Sequence, residues 1–286
     1  MNWMKWLVIG IAALAVALVA SAAYGSWRWN SGTTAIRARL EAARAAPLPS
    51  HYSQSELEGL PAPAQRYFRA VLKDGQPLVA AVGVQHGGSF NMSATAEQWK
   101  PFSADQRVTT RRPGFDWDAR IMMLPAVPVR VHDAYVAGAG LLHGAVLGLV
   151  PVVDMAGTPE LARGELIRYF AEAVWYPTAL LPSQGVRWEA VDAASARATL
   201  TDGMLAVTLL FRFSPDGLVD TVLAQARERV VDGRSQTAPW EGRFWNYAVR
   251  DGMRVPLDGE VAWLLPEGRK PYFRATTTAL HYEFAK

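Results

Sequence analysis

The chain has 286 residues, 50% of them hydrophobic and 19% charged, with a formal net charge of +3 and no cysteine. The missing cysteine excludes disulfides, thiolate nucleophiles, iron–sulfur clusters, cysteine-ligated zinc and a lipid-modified N-terminal cysteine. No basic run exceeds Arg111-Arg112 and acidic residues are interspersed throughout, so the clustered basic stripe that neutralises several phosphates is absent and no nucleic-acid partner is expected.

Residues Trp6 to Tyr24, WLVIGIAALAVALVASAAY, are nearly all apolar and carry no charge. At a helical rise of about 1.5 Å per residue, about 20 such residues span the hydrocarbon core of a bilayer. Trp3 and Trp6 at one end, with Tyr24, Trp27 and Trp29 at the other, suit its two interfaces. A membrane anchor over residues 1–30 is therefore expected. The competing reading is a cleaved signal peptide, with a charged start at Met1–Lys5 and a cut near Ala20-Ser21-Ala22. Lys5 precedes the segment while Arg28, Arg37, Arg39 and Arg44 follow it, which by the positive-inside rule alone would place the bulk of the chain in the cytoplasm. The short N-tail and export-like start favour the opposite orientation.

Residues 31–59 read as a linker containing a short charged helix, Thr34–Ala46, that ends before PLPS. A single α+β domain is expected over 60–286. Its first helix lies in LPAPAQRYFRAVLKDG, with Pro61 and Pro63 at the start and Gly75 at the end. Ala64, Tyr67, Phe68, Val71 and Leu72 form one apolar stripe at i, i+3, i+4, i+7 and i+8. From Leu78 to about Asp154 the period becomes two. In PGFDWDARI (113–121), Phe115, Trp117, Ala119 and Ile121 share one face and Asp116, Asp118 and Arg120 the other, as in a half-buried antiparallel strand. The aspartates are expected to face water or a neighbouring strand. In the next strand Val127, Val129, Val131 and Asp133 share one parity, with Arg130, His132 and Ala134 on the other.

A second helix is predicted from Thr158 as cap and Pro159 at its first position, with Leu166, Ile167, Phe170, Ala173 and Val174 inward. Glu165 and Arg168 read as a surface ion pair, and Glu165 and Glu172 as part of a solvated face. From Val186 the chain reads as an antiparallel meander punctuated by turn signals at Asp202-Gly203, Asp216-Gly217, Asp232-Gly233, Asp251-Gly252, Asp258-Gly259 and Glu267-Gly268. The fold class is α+β: an N-terminal transmembrane helix, then a large curved antiparallel sheet of about ten strands, an incomplete barrel with about two packed helices.

The chain has no G-x-S-x-G, H-E-x-x-H, P-loop or complete dinucleotide motif. In GAGLLHG (138–144) the glycines are expected to permit a turn or a close backbone approach. None of the five histidines is three or four residues from another, and adjacent strand residues His132 and Asp133 point to opposite faces. No catalytic residue, metal ligand or cofactor is assigned. What the sequence does supply is aromatic side chains on sheet: Trp99, Trp117, Trp175, Trp188, Trp240, Trp245 and Trp263. These fill a core, or wall a concave apolar cavity. The uncharged run at 141–153 is too short to span a membrane; it lines that cavity, pairs as a buried strand or touches the bilayer surface.

PGFDWDARI, DAYVAGAGLL, GELIRYFAEAVWYPTALLP and APWEGRF together resemble an uncharacterised bacterial family known only as a domain of unknown function, from about Leu60 to Phe284. The strand-rich layout with a helical lid is similar to the lipoprotein-carrier and lipoprotein-sorting architecture, which implies an incomplete barrel with an apolar interior. The expectation is a non-enzymatic domain tethered to a bacterial inner membrane by a single pass, with most of the chain extracytoplasmic. It would bind a lipid, another apolar ligand or an envelope partner, with Trp117, Tyr135, Trp175 and Trp188 as cavity walls. The alternatives are a hydrolase or transferase using Asp118, His132, Asp133 or Glu165, and a purely structural envelope protein.

Overall fold

The computed structural model describes residues 2–93, 96–231 and 234–286. Met1 and the Asp232-Gly233 turn signal lie outside them. The apolar stretch and the charged segment after it form one unbroken helix, α1 (Asn2–Ala43). Its residues from Trp3 to Tyr24 are all exposed, and by length and composition this part suffices to cross a membrane. From Gly25 onward one face is covered: Gly25, Trp29, Thr33 and Leu40 are buried at a spacing close to whole helical turns.

Among the described residues thirteen strands form one sheet, and every neighbouring pair is antiparallel. Six come from the first half of the domain: β1 (Val79–Asn91), β2 (Trp99–Thr109), β3 (Gly114–Leu124), β4 (Val127–Val136), β5 (Ala139–Val146) and β6 (Val150–Ala156). Seven come from the second: β7 (Arg187–Ala190), β8 (Ser195–Asp202), β9 (Leu205–Phe213), β10 (Val219–Val231), β11 (Arg234–Arg250), β12 (Met253–Leu265) and β13 (Gly268–Phe284). Their order is β6-β5-β4-β3-β2-β1-β13-β12-β11-β10-β9-β8-β7, so two meanders are joined where β1 pairs with β13, and the sheet stays open at β6 and β7. Alternation is clear in MLAVTLLFRF, where Val207, Leu209, Phe211 and Phe213 are buried and Ala206, Thr208 and Arg212 exposed.

Helix α2 (Ala62–Val71) buries the stripe read from its periodicity and packs on β8 and β12. Helix α3 (Pro159–Glu172) begins where the sequence places it: the Leu161 N–H donates to Thr158 Oγ1 at 3.2 Å. It touches β3, β4 and β5 on one side and β9 and β10 on the other, so the sheet curls around it. The approach of β5 requires Gly140, where a Cβ would stand 2.8 Å from the backbone of Leu161 and Ala162.

In β3, Phe115, Trp117, Ala119 and Ile121 are buried on the concave face, as the alternation predicts. The expected surroundings of the two aspartates are corrected, because α1 continues past its apolar stretch and lies across the convex face of β2, β3 and β4. Asp116 is fully buried and accepts from Arg37 Nε at 2.9 Å. Asp118 accepts from Trp29 Nε1 and Thr33 Oγ1, both at 2.9 Å, and Trp29 stacks on His132 with ring centroids 4.0 Å apart.

This seat titrates. Burial raises Asp116 from the ordinary 3.8 to about 6, against the opposing pull of Arg37. The folded chain thus holds this proton more tightly than the unfolded one. The group's contribution to stability is complete below about pH 3.8 and is lost as pH rises through about 6. In Asp116→Asn that falling slope is expected to disappear from a plot of urea midpoint against pH. A slope unchanged in the variant would assign it to another group.

Candidate functional site

The concave face is not filled. Between α3 and the two halves of the sheet lies a cavity of about 440 Å³. Inward positions of β3 and β4 supply Trp117, Ile121, Val129 and Val131, each two or four residues from the next on its strand. Leu142, Val152 and Val153 come from β5 and β6, Trp175 from just beyond α3, and Trp240, Phe244, Tyr272 and Phe273 from the opposite half of the sheet. A wider cleft of about 720 Å³ shares Phe90, Met92, Asp133, Leu142, Val153, Arg227 and Tyr272 with this cavity and adds Arg229, Trp263 and Lys270.

Of the four aromatic residues expected to wall a cavity, the structure brings two together: Trp117 and Trp175. The Trp117 indole donates to His86 Nε2 at 2.6 Å, which fixes its ring. Burial, with Arg168 nearby, lowers His86 to about 3, so the imidazole is neutral and accepts. Tyr135 and Trp188 lie elsewhere. The Tyr135 hydroxyl donates to Asp202 at 2.7 Å, and Trp188 packs with Phe68 and Phe211 and donates to the Leu180 carbonyl at 2.9 Å.

The polar wall comes from α3, and here the solvated-face reading is corrected. Because the sheet encloses the helix, Glu165, Arg168 and Glu172 look into the interior. Glu165 is 5% exposed and faces Arg227 at 3.7 Å rather than pairing with Arg168 on a surface. Arg168 bonds Asp133 Oδ2 at 2.6 Å and Glu172 Oε1 at 2.8 Å, and its guanidinium carbon stands 4.9 Å from the centroids of both Phe115 and Trp117. Gln106 donates to the other Glu172 oxygen at 2.7 Å. Burial first, then the charge of Asp133, raises Glu165 well above the usual carboxylate range. A proton on Glu165 satisfies the two orphaned oxygens there, Glu165 Oε2 and Asp133 Oδ1.

Arg227 is the least satisfied of these groups. It is 9% exposed, its guanidinium carbon lies 4.8 Å from the Trp240 centroid, and the 3.7 Å approach of Glu165 is longer than a hydrogen bond. Its donors border both the cavity and the wider cleft.

The residues weighed for catalysis fall into two pairs on opposite faces. Asp118 and His132 are register partners on the convex face, both held by Thr33, with His132 Nε2 2.8 Å from its Oγ1, beneath Trp29. Asp133 and Glu165 share the concave face. Sequence reasoning missed Arg227, Trp240 and Tyr272 as neighbours of Trp117. The i, i+2 spacing of Arg227 and Arg229 was visible, but strand parity does not say which parity is inward. Among the described residues no group of three or more His, Asp or Glu side chains is arranged to hold a metal ion.

Replacing Arg168 by methionine keeps its bulk but leaves Asp133 and Glu172 buried without their cation. Arg168→Met is expected to lose roughly 3–5 kcal/mol in urea unfolding. A loss below about 1 kcal/mol would show the network to be solvated like a surface pair.

No curated protein matches the chain. It is similar to a solved structure of a LolA superfamily protein from Nitrosomonas europaea, at 12% identity, with 81% of this chain and 93% of that one covered and a TM-score of 0.39. Residues 58–282 match the model of DUF6920, a family of unknown function, and the chain belongs to that family.

Proposed function

We propose that the chain is a membrane-tethered domain that holds an amphiphile with an anionic head. The observation that carries this reading is the cavity itself: about 440 Å³ walled by aromatic and branched side chains, with a buried guanidinium in its wall whose carboxylate neighbour stands 3.7 Å away. That volume falls within the range of small-molecule sites, about 300–1,000 Å³. An acyl chain lies against Trp117, Ile121, Val131 and Trp175. A carboxylate or phosphate accepts from Arg227 at the junction with the wider cleft, whose lining carries both bases (Arg229, Lys270) and acids (Glu97, Glu228). The exposed apolar part of α1 supports the tether.

The Glu165–Asp133 pair supports a second reading, acid–base chemistry on the bound molecule, because a buried carboxyl that keeps its proton is a ready general acid. Mass spectrometry of a ligand recovered after incubation separates the two. An intact molecule supports binding alone, and a cleaved or transferred one supports chemistry.

Binding is tested with a fluorescent fatty acid and the matching fatty alcohol on the full chain in detergent. Val131→Trp fills the cavity from its wall and is expected to weaken both ligands by about tenfold or more, equivalent to about 1.4 kcal/mol, with little change in Tm. Arg227→Met is expected to weaken the acid selectively and leave the alcohol unchanged. If Val131→Trp binds both as tightly as the natural chain, the cavity is not the site.

A further inference from the structure

Two uncharged hairpin tips project from one rim of the sheet. Residues 121–129 cross from β3 to β4 and residues 145–153 from β5 to β6, and neither stretch contains a charged side chain. Leu124 is 64% exposed, Val150 62% and Val152 58%. Apolar side chains so exposed on neighbouring hairpins of one rim mark an interaction surface.

The position of α1 identifies what covers them. The helix first meets the sheet at the β5–β6 tip, where Gly25 packs on Leu147 and Gly148 so closely that a Cβ on Gly25 would collide with the Leu147 carbonyl. Upstream of that contact the exposed apolar half of α1 runs beyond the same rim. Pairing of Val129 with Val146 and of Leu124 with Val127 sets the β3–β4 tip about two strand residues further out than the Leu147 turn, or roughly 7 Å. On the α1 axis that equals about five residues upstream of Gly25, within the apolar stretch. Just behind the tips stand three arginines. Arg28 and Arg120 are exposed, and Arg130 bonds Ser26 and Asn30 of α1 at 3.2 and 3.3 Å.

We infer that the β3–β4 and β5–β6 tips sit in the interfacial layer of the bilayer that receives α1, with Arg28 and Arg120 against anionic lipid headgroups and the buried Arg130 tying the rim to α1. This rests on the tether reading. An apolar edge backed by arginines matches the depth profile of such an interface, with acyl chains further in and negative charge further out. The tips also carry Ile121, Val129, Val152 and Val153 of the cavity wall, so on this placement one wall of the site would stand beside the lipid.

The absence of cysteine makes the test direct. Single variants Leu14→Cys, Leu124→Cys, Val150→Cys and Val249→Cys of the full chain, each at an exposed position, are labelled with an environment-sensitive fluorophore. They are reconstituted in vesicles of phosphatidylcholine and phosphatidylglycerol. Val249 lies beside the β11–β12 turn on the opposite rim. Spin-labelled acyl chains are expected to quench the probes at positions 14, 124 and 150 but not at 249. Omitting phosphatidylglycerol is expected to weaken quenching at 124 and 150 and leave 14 unchanged. Quenching at 14 with none at 124 or 150 overturns the inference while the tether stands. No quenching at 14 removes the tether and the inference with it. A blue-shifted probe at 124 that lipid does not quench shows a second copy of the chain on the tips, which also overturns it.

Discussion

The fold depends on α3 being enclosed by a sheet that curls without closing. Thirteen strands in one antiparallel sheet, with β6 and β7 left unpaired at its edges, cannot bury their concave face by strand pairing alone. The helix enters between the halves and touches both. Once it is there, the side that carries Glu165, Arg168 and Glu172 faces the interior, and these charges are met from the sheet: Asp133 from β4, Gln106 from β2 and Arg227 from β10. These contacts set the depth of the helix and orient Trp117 and Phe115 beneath Arg168. The cavity is the part of the interior that the helix does not occupy.

Low polarity gives this arrangement its chemical character. Charges that would be weak partners in water interact strongly here, and an acid whose neighbour is already ionised keeps its proton. The two arginines are used differently. Arg168 is saturated by two carboxylates and two rings and acts as a structural tie. Arg227 has one ring and one distant acid, which leaves it able to receive a further acceptor.

Much of the local structure was legible in the chain. The alternation in PGFDWDARI gave the inward residues of β3, the Thr158-Pro159 signal located the start of α3, and the stripe from Ala64 to Val71 gave the buried face of α2. The partners of each face were not legible. Period two separates two faces of a strand but does not say whether the outer one meets water or a helix, so it cannot place Asp116 and Asp118 beneath α1. Helical period likewise cannot separate a solvated face from an interior polar one, and Glu165 and Glu172 show the difference: their spacing fits a solvated face, while the sheet encloses them. Trp117 and Trp240 wall one cavity from strands in opposite halves of the domain sequence. No local pattern encodes that meeting, and Tyr135 and Trp188, equally aromatic, fill other parts of the core.

The continuity of α1 has a mechanical consequence. Its 42 residues form a rod of about 63 Å with no flexible joint between the exposed apolar half and the half seated on the sheet. A flexible leash would let a domain sample a hemisphere of positions and carry cargo away from its anchor point. A stiff stem bolted to the scaffold by Arg37, Trp29 and Thr33 would, with its apolar half in a bilayer, leave the domain only rotation about the membrane normal and sideways drift. On the proposed reading such a stem would hold the domain at fixed height, and onward movement of a bound amphiphile would fall to a partner that travels to it.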